Sequence, residues 1–162
     1  MALDIVYAYD RSDEVLSLFS EYMDMLLEGD PTFAAYLQIQ NYDDELRDLS
    51  HKYGLPDGRL YLAYWDGELA GSIALRKIDD ENCELKRLYI KPKFRRNGIA
   101  KALVLRLIDD AREIGYRYML LDTLPFLTEA ISLYESIGFC RTEKHNDSPL
   151  PAEKNYFYSL DL

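Results

Sequence analysis

Residues 95–101, Arg95-Arg96-Asn97-Gly98-Ile99-Ala100-Lys101, combine charge and small size in a way suited to holding a phosphate. They lie between a stretch that reads as a strand, Cys83 to Ile90, and one that reads as a helix, Gly98 to Ile114. The first amides of a helix have no partner inside it, and the helix dipole favours an anion there. Gly98 removes a Cβ where backbone must approach a phosphate closely, and Ala100 keeps a nearby position small. Arg95, Arg96 and Lys101 add charge. The spacings of a P-loop, GxxxxGK[ST], and of a dinucleotide loop, GxGxxG, are both absent. By itself R-x-x-G-x-A also describes a basic loop capping an ordinary helix. The flanking strand and helix favour the anion site.

The charge distribution points the same way. The chain of 162 residues has a net charge of −10. Residues 1–50 hold twelve acidic side chains against only Arg11 and Arg47, so the whole imbalance belongs to the first third. From Glu84 to Lys101 the sign reverses, with seven bases against one acid. One basic island in an acidic chain argues against nucleic-acid binding, which favours an extended positive field, and fits docking of a small polyanion. No apolar run approaches the length of a membrane span, and Met-Ala-Leu-Asp-Ile lacks the start of a signal peptide. Cys83 and Cys140 belong to no metal or redox spacing, so two buried thiols, no metal and a cytoplasmic location are expected.

Periodicity supplies the elements that must position these groups. A first strand is expected over Leu3 to Tyr9, then a helix from Ser12, its N-cap, to about Leu27. A weaker helix follows over Tyr42 to Tyr53. Arg59 to Trp65 and Glu68 to Lys77 flank Asp66-Gly67, a pair suited to a type I′ hairpin turn. The Cys83 strand and the amphipathic Gly98 helix come next, and Gly115 ends that helix. Tyr118 to Leu121 reads as a buried strand, parallel to the Cys83 strand through a right-handed crossover. Thr128 caps a helix to about Ile137, and Phe139 to Lys144 and Asn155 to Leu160 are final antiparallel strands. The expectation is one α+β domain over 1–162, with about seven strands, largely antiparallel with one parallel pair, and about four helices.

With those elements in order, the chain resembles the GNAT (Gcn5-related) N-acetyltransferase family. The resemblance rests on Glu84 to Ile90 followed by Pro92, on Arg95-x-x-Gly98-x-Ala100 and on Ala102-Leu103. It is extended by Leu121-Asp122-Thr123 and by Ala130-x-x-Leu133-Tyr134-Glu135-x-x-Gly138-Phe139. It implies a sheet that splays after the Cys83 strand, with acetyl-CoA as co-substrate and its pantetheine in the gap. Backbone at Leu88, Tyr89 and Ile90 would hold pantetheine, residues 95–101 the pyrophosphate, and Thr123 would lie alongside. Direct attack of a primary amine on the thioester is the implied reaction, with Tyr134 as acid for the leaving thiolate and Glu84 as base. Asp122 is the alternative base or the anchor of the amine. Many relatives carry Asn where this chain has Leu127. The acceptor site is implied between the first two helices, the Pro125 loop and the last hairpin, where the acidic first third suggests a small cationic amine. A protein N-terminus or lysine is the competing acceptor. An acyl-CoA sensor without Tyr134 chemistry is the competing class, and a monomer or homodimer is expected.

Overall fold

The computed structural model describes residues 2–162, and within them seven strands and six helices form around one sheet. The strands are β1 (Leu3–Tyr7), β2 (Arg59–Trp65), β3 (Glu68–Lys77), β4 (Asn82–Ile90), β5 (Tyr118–Thr123), β6 (Cys140–Thr142) and β7 (Tyr156–Asp161). The helices are α1 (Ser12–Gly29), α2 (Phe33–Ile39), α3 (Tyr42–Arg47), α4 (Leu49–Tyr53), α5 (Ile99–Ile114) and α6 (Thr128–Ile137). The sheet order is β1-β2-β3-β4-β5-β7-β6, with β4 and β5 the parallel pair. The α+β architecture expected from the sequence is therefore present. At the β2–β3 hairpin Asp66 and Gly67 both take positive φ, 48° and 84°, as a type I′ turn requires.

Helices cover both faces of the sheet. On one, Leu103, Leu107 and Ala111 of α5 are fully buried against Ile73, Leu75, Cys83 and Met119. Each such leucine contributes about 2 kcal/mol of hydrophobic stabilisation. On the other, Val15, Leu18 and Phe19 of α1 pack on Leu60, Leu62 and Ala74.

Several local expectations are corrected. The helix expected over Tyr42 to Tyr53 is broken at Asp48, whose φ of −147° is not helical and whose carboxylate accepts from the His51 amide. A short helix, α2, was not read at all. Ser12 and Thr128 are the first helical residues rather than caps; Arg11 and Leu127 hold the cap positions without side-chain hydrogen bonds. Strand β1 ends at Tyr7, β5 runs on to Thr123 and β6 shrinks to Cys140–Thr142. Cys83 is buried as expected, whereas Cys140 is exposed because β6 is an edge strand.

One irregularity shapes the centre of the sheet. Ser72 of β3 faces Tyr89 while Ala74 faces Lys86, so β4 carries one extra residue. The bulge contains Arg87, at φ 58°. A bulge reverses the in–out parity of the strand. Cys83 and Leu85 point to the α5 side before it, Leu88 and Ile90 after it, and Tyr89 turns to the α1 side.

Arg87 is pinned from α3. Its Nε and Nη2 donate to Glu45 Oε2 and Oε1 at 2.9 and 2.8 Å, and Lys52 Nζ donates to Oε1 at 2.8 Å. The Glu45 side chain has no solvent exposure. Burial opposes its ionisation, but Arg87 and then Lys52 hold its carboxyl down at about 2. Because that lies below the unfolded value, the stabilisation is complete above about pH 5 and is lost as pH falls toward about 2, on the order of 3 kcal/mol. Glu45→Gln is expected to lower unfolding free energy by about 3–5 kcal/mol, since Arg87 is left buried without its counter-ion. Denaturant titrations of both proteins from about pH 5 to pH 2 check this. An equally steep acid loss in the variant would show that Glu45 is not the group responsible.

Candidate active site

The parallel pairing of β4 with β5 is short. It joins Asn82, Cys83 and Glu84 to Tyr118, Met119 and Leu120 and stops there. Beyond it β5 stays with β7 as far as Thr123 and Tyr156, while β4 stays with β3 as far as Ile90 and Gly71. The two strands diverge, and a cleft of about 560 Å³ lies between the end of β4, the start of α5 and α6, the helix that follows β5.

Most of the residues singled out in the sequence line this cleft. Leu88, Tyr89 and Ile90 form the β4 wall, and Arg95, Arg96 and Gly98 to Lys101 form the end at the start of α5. Leu133 and Tyr134 of α6 close the other side. Asn97 is not brought in; its Nδ2 donates to the Phe94 carbonyl at 3.0 Å and shapes the loop from behind. Arg95 also braces the loop, donating from Nε to the Ile90 carbonyl at 3.0 Å. Gly98 has φ 76°, a left-handed conformation that suits glycine, and apart from its chain neighbours no atom of the described residues lies within 4 Å of where a Cβ would stand. The first hydrogen bond of α5 runs from the Ala102 amide to the Gly98 carbonyl, so the amides just before it lack helical partners. A small residue with open space beside it, free amides and three bases make a place that fits a pyrophosphate.

A second, smaller cavity of about 40 Å³ adjoins the cleft, and Tyr22, Leu88, Leu127 and Tyr134 border both. Thr123 lies here rather than in the cleft. Tyr134 is buried, with its ring edge-on to Phe139. Its hydroxyl takes no hydrogen bond among the described residues. Burial, then Tyr22 and Asp122, push its pKa well above the usual phenol range.

The other wall of the small cavity holds Asp122. Its Oδ2 accepts from Tyr36 Oη at 2.6 Å and from Asn155 Nδ2 at 3.1 Å, and Asn146 Nδ2 donates to the same Tyr36 oxygen at 2.6 Å. Oδ1 is left open. Facing it are Lys86 and Arg87. Lys86 is buried and hydrogen-bonds Gln40 Oε1 at 2.9 Å. Its pKa is pushed down to about 8, first by burial and then, against the support of Glu84, by Arg87. Glu84 borders neither cavity. It lies behind Lys86, buried, with Arg76 Nε at 3.1 Å and Lys86 Nζ at 3.9 Å from Oε1.

Sequence reasoning missed Tyr22, Asn146 and Asn155. Tyr36 falls on the short α2, and the two asparagines come from the irregular chain between β6 and β7. Only the tertiary fold gathers them. It also passed over Lys86 and Arg87 as ligands because both read as part of a surface island. Of the twelve acids in residues 1–50, none lines the small cavity. Among the described residues no group of His, Cys, Asp and Glu could hold a metal, and no helix is long and apolar enough to cross a membrane.

Known proteins resemble the chain in sequence and in fold. The Acetyltransferase (GNAT) family matches this chain over residues 15–139. An uncharacterized N-acetyltransferase of Dictyostelium discoideum is 34% identical across 92% of this chain and 94% of its own length. The N-acetylaspartate synthetase of Danio rerio is 34% identical over 72% of this chain but only 42% of its own length. The PaiA N-acetyltransferase of Thermoplasma acidophilum, solved in complex with coenzyme A, is 19% identical. It covers 100% of both chains with a TM-score of 0.73, a likeness of fold. With a family match across most of its length and a relative alike almost end to end, the chain belongs to the GNAT family and is an N-acetyltransferase.

Proposed function

We propose that the chain transfers acetyl from acetyl-CoA to the primary amine of a small molecule, by direct attack while both substrates are bound. The observation that carries this is Tyr134, which borders both cavities and whose hydroxyl has no hydrogen-bond partner among the described residues. The cleft suits the donor, with its phosphates at the Gly98 loop and pantetheine along β4 from Leu88 to Ile90. The small cavity suits only the reacting end of an acceptor.

Each group then has a task. The amine nitrogen forms a bond to the acetyl carbonyl carbon, and the carbon–sulfur bond breaks. Asp122, fixed by Tyr36 and Asn155, receives the amine at its open Oδ1 and draws off the proton as attack proceeds. Tyr134, kept as a phenol by burial, donates to the leaving sulfur. Glu84, the base expected from its place in the sequence, is assigned instead to supporting Lys86 and Arg76. The cation that an acidic chain was expected to attract is, on this reading, the amine itself, received by Asp122. The Danio rerio relative, named an N-acetylaspartate synthetase, supports keeping amino acids among the acceptors.

Tyr134→Phe is expected to lower kcat by about 100-fold or more, with affinity for CoA within about twofold of wild type. Because burial raises the pKa of Tyr134, the loss should be of similar size from about pH 7 to pH 9. An unchanged kcat would remove Tyr134 as the acid.

Asp122→Asn is expected to cost more in kcat/KM for the amine than Glu84→Gln; the reverse order would return the base to Glu84. Gly98→Glu should reduce CoA affinity by at least about tenfold by calorimetry, from strain at positive φ and a carboxylate set where phosphate binds. Undiminished affinity would place the donor elsewhere.

A further inference from the structure

We propose that the small cavity holds a carboxylate of the acceptor on Lys86, so that the acceptor is an amino acid with its amine toward Asp122. This rests on the acetyl-transfer reading above and adds the substrate class to it.

The argument is one of unbalanced buried charge. Behind the cavity wall four cations, Lys52, Arg76, Lys86 and Arg87, share two carboxylates, Glu45 and Glu84. Glu45 is taken by Arg87 and Lys52, each at 2.8 Å. Glu84 is taken by Arg76 at 3.1 Å, which leaves it 3.9 Å from Lys86. Lys86 is 7% exposed, and its one hydrogen bond goes to the neutral Gln40 amide. An ammonium has three donors, and a buried charge without a close counter-ion is unfavourable. Arg87 adds a second unused donor on the same wall, since Nη1 has no partner among the described residues while Nε and Nη2 are bound.

Across the cavity the only carboxylate among the described residues is Asp122, whose Oδ2 is engaged and whose Oδ1 takes no hydrogen bond from them. The two walls thus offer an unsatisfied cation and an unsatisfied anion. A small zwitterion satisfies both at once. A diamine, by contrast, would set its second cation against Lys86 and Arg87. The lowered pKa of Lys86 agrees, because a carboxylate beside it would support a charge that burial and Arg87 weaken.

The test compares each proteinogenic amino acid, and β-alanine, with its amino alcohol, and adds putrescine as a dication. For the best acceptor, wild type should favour the acid over the alcohol by at least about tenfold in kcat/KM. Lys86→Met should bring that ratio within about threefold, Lys86→Arg should restore part of it, and calorimetry should show CoA binding kept in both. Better turnover of alcohols or putrescine by wild type, or an unchanged ratio in Lys86→Met, would overturn the proposal. If no amine is acetylated, binding of the same pairs to the CoA-loaded protein separates the two readings. Binding of acids over alcohols that disappears in Lys86→Met would uphold the carboxylate site and end the acetyl-transfer reading for these amines. Failure of every acid to bind would end the carboxylate site.

Discussion

Arg87 sits in the left-handed region at φ 58°, in the middle of the central strand, and everything at the site follows from its being held there. For a residue with a Cβ that conformation costs about 1–2 kcal/mol. Two buried hydrogen bonds to Glu45, a third to Gln40, and the Ser72 hydroxyl on the Arg87 carbonyl hold it in place. The bulge it makes reverses the parity of β4, giving Leu88 and Ile90 to the cleft side of the sheet. It also brings Lys86 and Arg87 together on the cavity wall, which strict alternation would have separated to opposite faces. The acids of α3 are thus structural at one position: Glu45 is the counter-ion that keeps the strand bent.

This arrangement divides labour between the two ends of the chain. The segment from β4 to α5 lines the large cleft with backbone, a glycine and a basic loop. The small cavity is lined from α1, α2, β5 and the approach to β7, with Lys86 and Arg87 of β4 on its wall and Tyr134 reaching across from α6. The two meet where Tyr22 and Tyr134 border both cavities. Burial likewise pushes the Tyr22 phenol up, to about 12, so both hydroxyls at the junction remain protonated at neutral pH.

The lining of the cleft was legible in the sequence because it is local. A strand, a basic turn with glycine, and an amphipathic helix follow one another within residues 83–114, and each leaves its own periodic or compositional mark. The lining of the small cavity was not, because it is made of single residues brought from remote segments. Tyr36 lies on a seven-residue helix, too short to show a period. Asn146 and Asn155 come from irregular chain. The β4 bulge carried no glycine to announce it, and β4 is so thoroughly buried that alternation could not reveal the change of parity. Glu84 shows the same limit: its spacing from Arg95 was readable, but not that its side chain lies outside both cavities. Ser12 and Thr128 had the right chemistry for caps, yet each helix began one residue earlier than that chemistry needs.

The short parallel contact between β4 and β5 has a mechanical consequence. Two sub-sheets, β1 to β4 and β5 with β7 and β6, are stitched by three residue pairs, with the crossover through α5 as the covalent strap. Such a seam is where a fold opens first when part of it loosens. A long thin molecule lying in the cleft would be a splint as well as a reactant, since it would touch β4 on one side and α6, which leads on from β5, on the other. Amide protons of β5 and β7 should then exchange more slowly as that molecule fills the gap, while those of β2 and β3, already sewn along their length, should hardly respond.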